Sequence, residues 1–493
     1  MAFNSLHFLL FFLAVVSLYF LCPYRWRWVL LLTASYYFYM CWRIEYAVLL
    51  AASTLITYFT GLKMGQIPHR NGRLKYLAIS LVLNLSILFT FKYFNFINDS
   101  IRPLFNQFNI FYDVPNLKVL LPIGISFYTF QALSYTIDVY RGEKQPERHL
   151  GIYALYVSFF PQLVAGPIER STRLLPQFYK KYDFDYNRVT DGLRLMAWGF
   201  FKKVVVADRL AVIVNPIYAN PHEYMGVHLL IATFFFAYQI YCDFSGYSDI
   251  AIGASRIMGF DLMTNFKRPY FSKSIAEFWR KWHISLSTWF RDYLYIPLGG
   301  NRVSKWQWYT NLIIVFLISG LWHGANWTFI VWGGLHGMYL LFSIWSKSLR
   351  VKIADLTGII RMPTLHRFFQ IIITFTLVSF AWIFFRAESL KDAVYIVSHI
   401  FSGVGYFLVN ITDSAYVRNI MGQLGITQRE FLIAIFSVGI LEIVQYFQNL
   451  TNIKSKFVAQ PICVRWAAYY ALAGIIIFFG AFNSAQEFIY FQF

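Results

Sequence analysis

Charge is scarce in this chain. Only 14% of its 493 residues are Asp, Glu, Lys or Arg, while 58% are hydrophobic. Soluble chains carry about 25% charged residues, so composition excludes an ordinary soluble enzyme. Acids are scarcer than bases, 24 against 43. The resulting net charge of +19 does not mark a nucleic-acid binder. The bases fall in short clusters between apolar runs, the pattern of cytoplasmic loops under the positive-inside rule. Cysteine is nearly absent: Cys22, Cys41, Cys242 and Cys463 have no metal or redox spacing and read as small apolar residues. No bound metal or cofactor is expected. No inverted repeat is visible and acids for ion coupling are few, which argues against a transporter. No Lys or Arg precedes the run Leu6 to Cys22, and no small-residue cleavage site follows it. It reads as an uncleaved first span rather than a signal peptide.

What is present is membrane. Apolar runs lie at about 6–22, 26–42, 45–62, 76–94, 117–140, 150–165, 192–218, 228–252, 309–346, 368–386, 431–448 and 464–483. A span takes roughly 20 residues, so 309–346 is long enough for two. The expectation is an all-α polytopic membrane protein with about eleven or twelve crossings, forming one integral-membrane domain over 1–493. Basic loops at 63–75, 141–149, 347–367 and 449–465 fall on the cytoplasmic side. The balanced stretch 386–430 and both termini fall outside. The segment 150–165 breaks this alternation and ends in Phe160-Pro-Gln-Leu-Val-Ala-Gly-Pro167. Its two prolines interrupt a helix, so it reads as a re-entrant element, as does Ile296-Pro-Leu-Gly-Gly300. Irregular backbone at membrane depth is tolerated where protein or a cavity satisfies it. The two breaks predict a cytoplasmic funnel, or tunnel, leading to an embedded site.

Two histidines stand out 40 positions apart, His283 and His323. Ionisable groups at membrane depth are functional candidates by default, and imidazole is suited to moving a proton near neutral pH. On a helix over 279–293, Arg280, His283, Ser287 and Arg291 share one stripe. Two readings of it stand: a site for an anionic ligand, or an interfacial helix whose arginines snorkel to headgroups. On a helix continuing past His323, Asn326 and Trp327 lie on the histidine's face, and Asn326 is placed to orient the ring or donate to an oxyanion. Gly320 and Gly324 leave space beside the ring for backbone or substrate. His336 is rotated away and reads as structural. In Tyr241-Cys-Asp-Phe-Ser-Gly-Tyr-Ser-Asp249, Asp243 and Asp249 would each cost about 2.5–3.5 kcal/mol if charged at mid-membrane. They are expected near an interface, or paired with Arg256 or a lysine. The ending Phe488-Ile-Tyr-Phe-Gln-Phe493 is either an aromatic anchor or a carrier of an acyl-accepting Tyr490 hydroxyl.

Four stretches together, Pro161 to Pro167, Tyr241 to Asp249, Phe278 to Arg302 and Leu321-Trp-His-Gly-Ala-Asn-Trp327, resemble the membrane-bound O-acyltransferase superfamily, in its bacterial alginate O-acetyltransferase-like branch. The resemblance spans nearly the whole chain. A weaker likeness is to the subunit that moves D-alanine onto teichoic acids. The resemblance implies that His323 is the catalytic residue, that His283 is the second active-site position, and that Tyr490 is a possible acyl relay. It also implies a tunnel between a cytoplasmic donor and an acceptor in or beyond the membrane.

The expected donor is an acyl thioester, acetyl-CoA first, held by Arg280, Lys281 or Arg291. A D-alanyl or other acyl group on a carrier protein is the alternative donor. A transporter or a scaffold for polymer export are the non-enzymatic alternatives. The expected partners are the lipid bilayer, an extracytoplasmic SGNH (serine-hydrolase-like) acetyltransferase and, through it, a polysaccharide. The expected location is the cytoplasmic (inner) membrane.

Overall fold

In a computed structural model the structure describes residues 1–164, 166–450, 453–482 and 488–491. Ala165 within the first motif, residues 451–452 of the last basic loop, residues 483–487, and Gln492 and Phe493 of the ending lie outside these. The described residues are helical throughout their regular structure, as the apolar runs predict. Among the described residues, seven helices are long and apolar enough to cross a membrane: Ile44–Gly65, Arg70–Gln107, Val227–Met258, Trp327–Trp345, Pro363–Arg386, Gln428–Gln448 and Ile462–Phe479. The bent pair Leu390–His399 and Val404–Asn410 makes an eighth if counted as one span.

The other expected spans are helices of another kind. Leu6–Leu21, Tyr24–Met40 and Ile125–Arg141 have 16, 17 and 17 residues. The run 192–218 is a helix carrying Lys202, Lys203 and Asp208 within its turns. The run 309–346 holds two helices, Lys305–His323 and Trp327–Trp345, of which the second is among the candidate spans.

The segment 150–165 is broken, one residue earlier than its prolines suggest. Leu150–Ser158 ends at Phe159, and Pro161 sits in the first turn of the short helix Phe160–Leu163, where a missing N–H is tolerated. Protein side chains satisfy the backbone that this break frees. Ser35 Oγ accepts the Phe160 N–H at 3.0 Å. Gln131 and Gln162 both donate to the Tyr156 carbonyl, at 2.5 and 2.9 Å. Ser285 Oγ accepts the Ile168 N–H at 3.1 Å.

Val227–Met258 runs through the middle of the molecule, buried along almost all of its length from Phe235 onward. It packs closely on Tyr186–Phe200, because a Cβ at Gly199 would stand 2.7 Å from the Gly246 carbonyl oxygen. Small residues at such crossings let helix backbones approach. Among the described residues, three π-helical turns interrupt the helices, at Phe89–Tyr93, Phe201–Ala207 and Arg291–Tyr295.

Candidate active site

The two histidines reach the same place by different local devices. His323 is the last residue of Lys305–His323, whose start is capped by Ser304 accepting the Gln307 N–H. A helix leaves its last carbonyls without intrahelical partners. Here Tyr93 Oη donates to the Leu321 carbonyl at 3.0 Å, and Lys92 Nζ donates to the Trp322 and His323 carbonyls at 2.8 and 3.0 Å. A cation at a helix C-terminus also complements the helix dipole.

His283 lies between two helices, not on one. The stripe expected over 279–293 does not form, because the chain breaks into Ile275–Lys281 and Ile284–Phe290. His283 takes a left-handed backbone, φ +42°, which is uncommon for any residue but glycine. Asn265 holds the break. Its carbonyl accepts the Ile284 N–H at 2.9 Å. Its side-chain oxygen accepts Ser285 Oγ–H at 2.9 Å and lies 3.2 Å from His283 Nδ1. That bond directs Nε2 away from Asn265.

Both rings are buried, His283 at 0% and His323 at 3% exposure. Their centroids are 6.4 Å apart. Tyr490 stands against both, at 5.6 Å from His323 and 6.4 Å from His283. Phe244 closes one side, 4.6 Å from His283 and 4.5 Å from Tyr490. Trp332 and Phe385 flank His323 at 5.0 and 5.4 Å. Among the described residues, His283 Nε2, both nitrogens of His323 and the Tyr490 hydroxyl have no hydrogen-bond partner. Leaving buried polar atoms unpaired is costly, so their clustering at one point marks a place for a ligand. A cleft opens beside them, lined by Lys92, Ser126, Phe127, Trp322, His323 and Tyr490 among others. Its cavity volume of about 30 Å³ suits one or two waters, so an acyl group needs these walls to move.

Several sequence-predicted residues fall elsewhere. The helix does not continue past His323: Gly324 is extended and Asn326 caps the next helix. The Asn326 side chain accepts the Thr328 N–H and donates to the Glu388 carbonyl, both at 3.0 Å. Gly324 faces the Phe329 ring, and Gly320 faces the Phe329 backbone, so backbone and side chain take the space beside those glycines.

Arg280, Lys281 and Arg291 do not line the cleft. Lys281 pairs with Glu277 at 2.7 Å and Arg291 with Asp292 at 2.8 Å, while Arg280 is exposed. Partial burial pushes the Glu277 carboxyl up. The bonds from Lys281 and from the Lys273 amide outweigh this and hold it below its ordinary value. His336 accepts a hydrogen bond from Trp279 Nε1 at 3.2 Å, a structural task. Asp243 and Asp249 pair with lysines, as expected for buried acids: Lys203 at 2.7 Å and Lys202 at 2.5 Å. Arg256 is taken by Asp191.

Sequence reasoning missed Lys92 and Asn265. Lys92 carried a signal, as a lone cation inside the run 76–94. Asn265 carried none.

The chain belongs to the membrane-bound O-acyltransferase family, whose model matches residues 148–385, a span that contains both histidines. It is 44% identical over 405 residues to the probable alginate O-acetylase AlgI of Azotobacter vinelandii, covering 82% of this chain and 78% of that one. The corresponding protein of Pseudomonas aeruginosa is 44% identical over 396 residues, 80% of this chain and 73% of that one. The peptidoglycan O-acetyltransferase of Helicobacter pylori is 35% identical over 430 residues, covering 79% of each chain. The protein is thus a multi-pass membrane enzyme, an O-acyltransferase.

Proposed function

We propose that this enzyme takes an acetyl group from a cytoplasmic thioester, acetyl-CoA, and passes it across the cytoplasmic membrane for O-acetylation of an extracytoplasmic polysaccharide. The chain acts as one integral-membrane unit over residues 1–493. The observation that carries the reading is the convergence of two imidazoles and a tyrosine hydroxyl, all buried and unpartnered among the described residues. The relatives named for alginate and peptidoglycan O-acetylation support the acetyl group and the glycan acceptor.

In the first step the Tyr490 hydroxyl attacks the thioester carbonyl while His323 takes its proton. His283, fixed by its Nδ1–H bond to the Asn265 oxygen, leaves Nε2 as an acceptor and orients the nucleophile beside His323. The C–S bond breaks, the thiolate receives the proton from His323, and the acetyl group rests on Tyr490 as an ester. In the second step an acceptor hydroxyl attacks that ester, His323 again takes the proton, and the leaving phenolate recovers it. The acceptor is a serine of an extracytoplasmic SGNH-type, serine-hydrolase-like partner, which completes transfer to the glycan. The donor arrives through a passage from the cytoplasmic side, where Arg280, with Lys281 and Arg291 after release of their acids, meets its phosphates.

The test is transfer of labelled acetyl from acetyl-CoA in membranes holding equal amounts of each variant. His323→Ala is expected to abolish transfer, and His283→Ala to reduce it by about 10²-fold, as for a misplaced reacting group. Retained transfer in His323→Ala removes the general-base assignment. An acetyl mass on the C-terminal peptide, absent in Tyr490→Phe, reports the relay.

A further inference from the structure

Chain ends fray unless something ties them down. The segment holding Tyr490 is tied by a buried charge cluster that the proposed chemistry does not use. Asp243 Oδ2 accepts the Ile489 N–H at 2.7 Å. Asp243 Oδ1 pairs with Lys203 Nζ at 2.7 Å, and the same ammonium pairs with Asp208 Oδ1 at 2.7 Å. All three groups are buried: Lys203 and Asp208 at 1% exposure, Asp243 at 3%. Two carboxylates around one ammonium leave a net negative charge, and a carboxylate holds a backbone N–H more strongly than a neutral acceptor does.

Flanking contacts extend the seat. Phe488 is fully buried, 4.6 Å from Tyr247 and 5.6 Å from Phe244. Further upstream, the Ala481 N–H donates to the Val204 carbonyl at 2.9 Å, and Arg209 donates to the Phe479 carbonyl at 2.6 Å. Lys203 and Val204 belong to the π-helical stretch Phe201–Ala207, and Asp208 and Arg209 follow directly.

We propose that Asp243, braced by Lys203 and Asp208, is a positioning residue that latches the C-terminal segment through the Ile489 amide and so sets the depth at which Tyr490 meets His283 and His323. The latch grips main chain at one amide, one residue before the tyrosine. It therefore fixes register, while Phe488 supplies apolar contact. Its effect on rate rests on Tyr490 being the acyl-bearing residue; its effect on docking does not.

The experiment is carboxypeptidase digestion of the full-length protein in detergent, with release of Phe491 followed by intact mass, since that cut leaves Tyr490 and not residue 489 beside the scissile bond. Acetyl transfer is measured on the same samples. Two variants break the latch from opposite sides. Asp243→Ala removes the acceptor. Ile489→Pro removes the N–H and leaves the charge cluster intact, so it stays informative where Asp243→Ala does not fold. Ile489→Val keeps the amide and is the conservative control. Both breaking variants are expected to release Phe491 about ten- to a hundredfold faster, as loss of one charge-assisted hydrogen bond implies. Transfer is expected to fall by about 10²-fold, as for a misplaced reacting group, with Ile489→Val close to wild type in both assays. Release at the wild-type rate in Ile489→Pro overturns the latch, whatever the activity. Fast release in the breaking variants, together with full activity in them and in Tyr490→Phe, upholds the latch and overturns the relay.

Discussion

Gly320 offers a sharp test of whether the position of His323 matters to chemistry. Lys305–His323 and Trp327–Trp345 touch backbone to backbone at Gly320 and Gly333. A Cβ on Gly320 would stand 2.2 Å from the Phe329 carbonyl oxygen and 3.1 Å from its carbonyl carbon. Comfortable contact is about 3.5 Å, so Gly320→Ala must part the helices by roughly 1.3 Å. Overpacking of this kind destabilises by about 1–3 kcal/mol, offset by up to about 1 kcal/mol from replacing a helical glycine. The net loss expected in thermal unfolding is therefore small, about 0–2 kcal/mol. The effect on rate is expected to be larger. His323 lies three residues on, at the end of the same helix, and a displacement near 1 Å at a reacting group costs about 10²-fold. Gly334→Ala is the control, because its Cβ would meet nothing nearer than Leu317 Cδ2 at 3.6 Å. The assay is acetyl transfer per folded enzyme, with unfolding followed in the same detergent. Wild-type transfer in Gly320→Ala refutes the link between this crossing and catalysis.

Two further substitutions separate neighbouring roles. Lys92→Met strips the Trp322 and His323 carbonyls of their shared donor. It is expected to lower kcat more than it raises KM, with a loss of about 1–3 kcal/mol in unfolding free energy for carbonyls left unpaired. Asn326→Ala is expected to lose about 1 kcal/mol of stability as a missing helix cap, with turnover unchanged. Turnover slowed by about a hundredfold or more would instead make Asn326 an oxyanion donor.

The parts of this structure that local pattern governs were legible in the sequence. Lengths of apolar run placed the helices, including the presence of two within 309–346, and the prolines of 161–167 marked the broken segment. Asp243 and Asp249 sit beside lysines, as the cost of an unpaired charge in the membrane requires. The errors came where tertiary contacts override local periodicity. Nothing in Trp282-His-Ile-Ser285 marks a helix break, since neither glycine nor proline is present. The left-handed turn at His283 is imposed by Asn265, a residue 18 positions upstream. The break after His323 did carry a signal, because asparagine is a preferred helix cap. An uninterrupted apolar run hid it. The basic stripe of Arg280 and Arg291 dissolved for the same reason as the helix that was to display it.

The polar groups buried in this membrane protein divide by what they do. The cations are tied: Lys92 to helix-end carbonyls, Lys202 to Asp249, and Lys203 to two aspartates. Each of these lysines lies on a π-helical turn, where one extra residue per turn shifts the register of side chains and frees backbone groups. That shift lets a helix carry a charge inward without turning a whole polar face to lipid. The imidazoles are treated in the opposite way. One nitrogen of His283 is fixed by Asn265, and the remaining site nitrogens are left without protein partners among the described residues. A fold that pairs its embedded lysines yet leaves two imidazoles and a phenol unpaired at one point has kept those atoms for a substrate. His336 is as deeply buried and also keeps one ring nitrogen unpartnered among the described residues, but it packs among Trp279, Phe278 and Trp332 and not against Tyr490, so place and not pairing sets it apart.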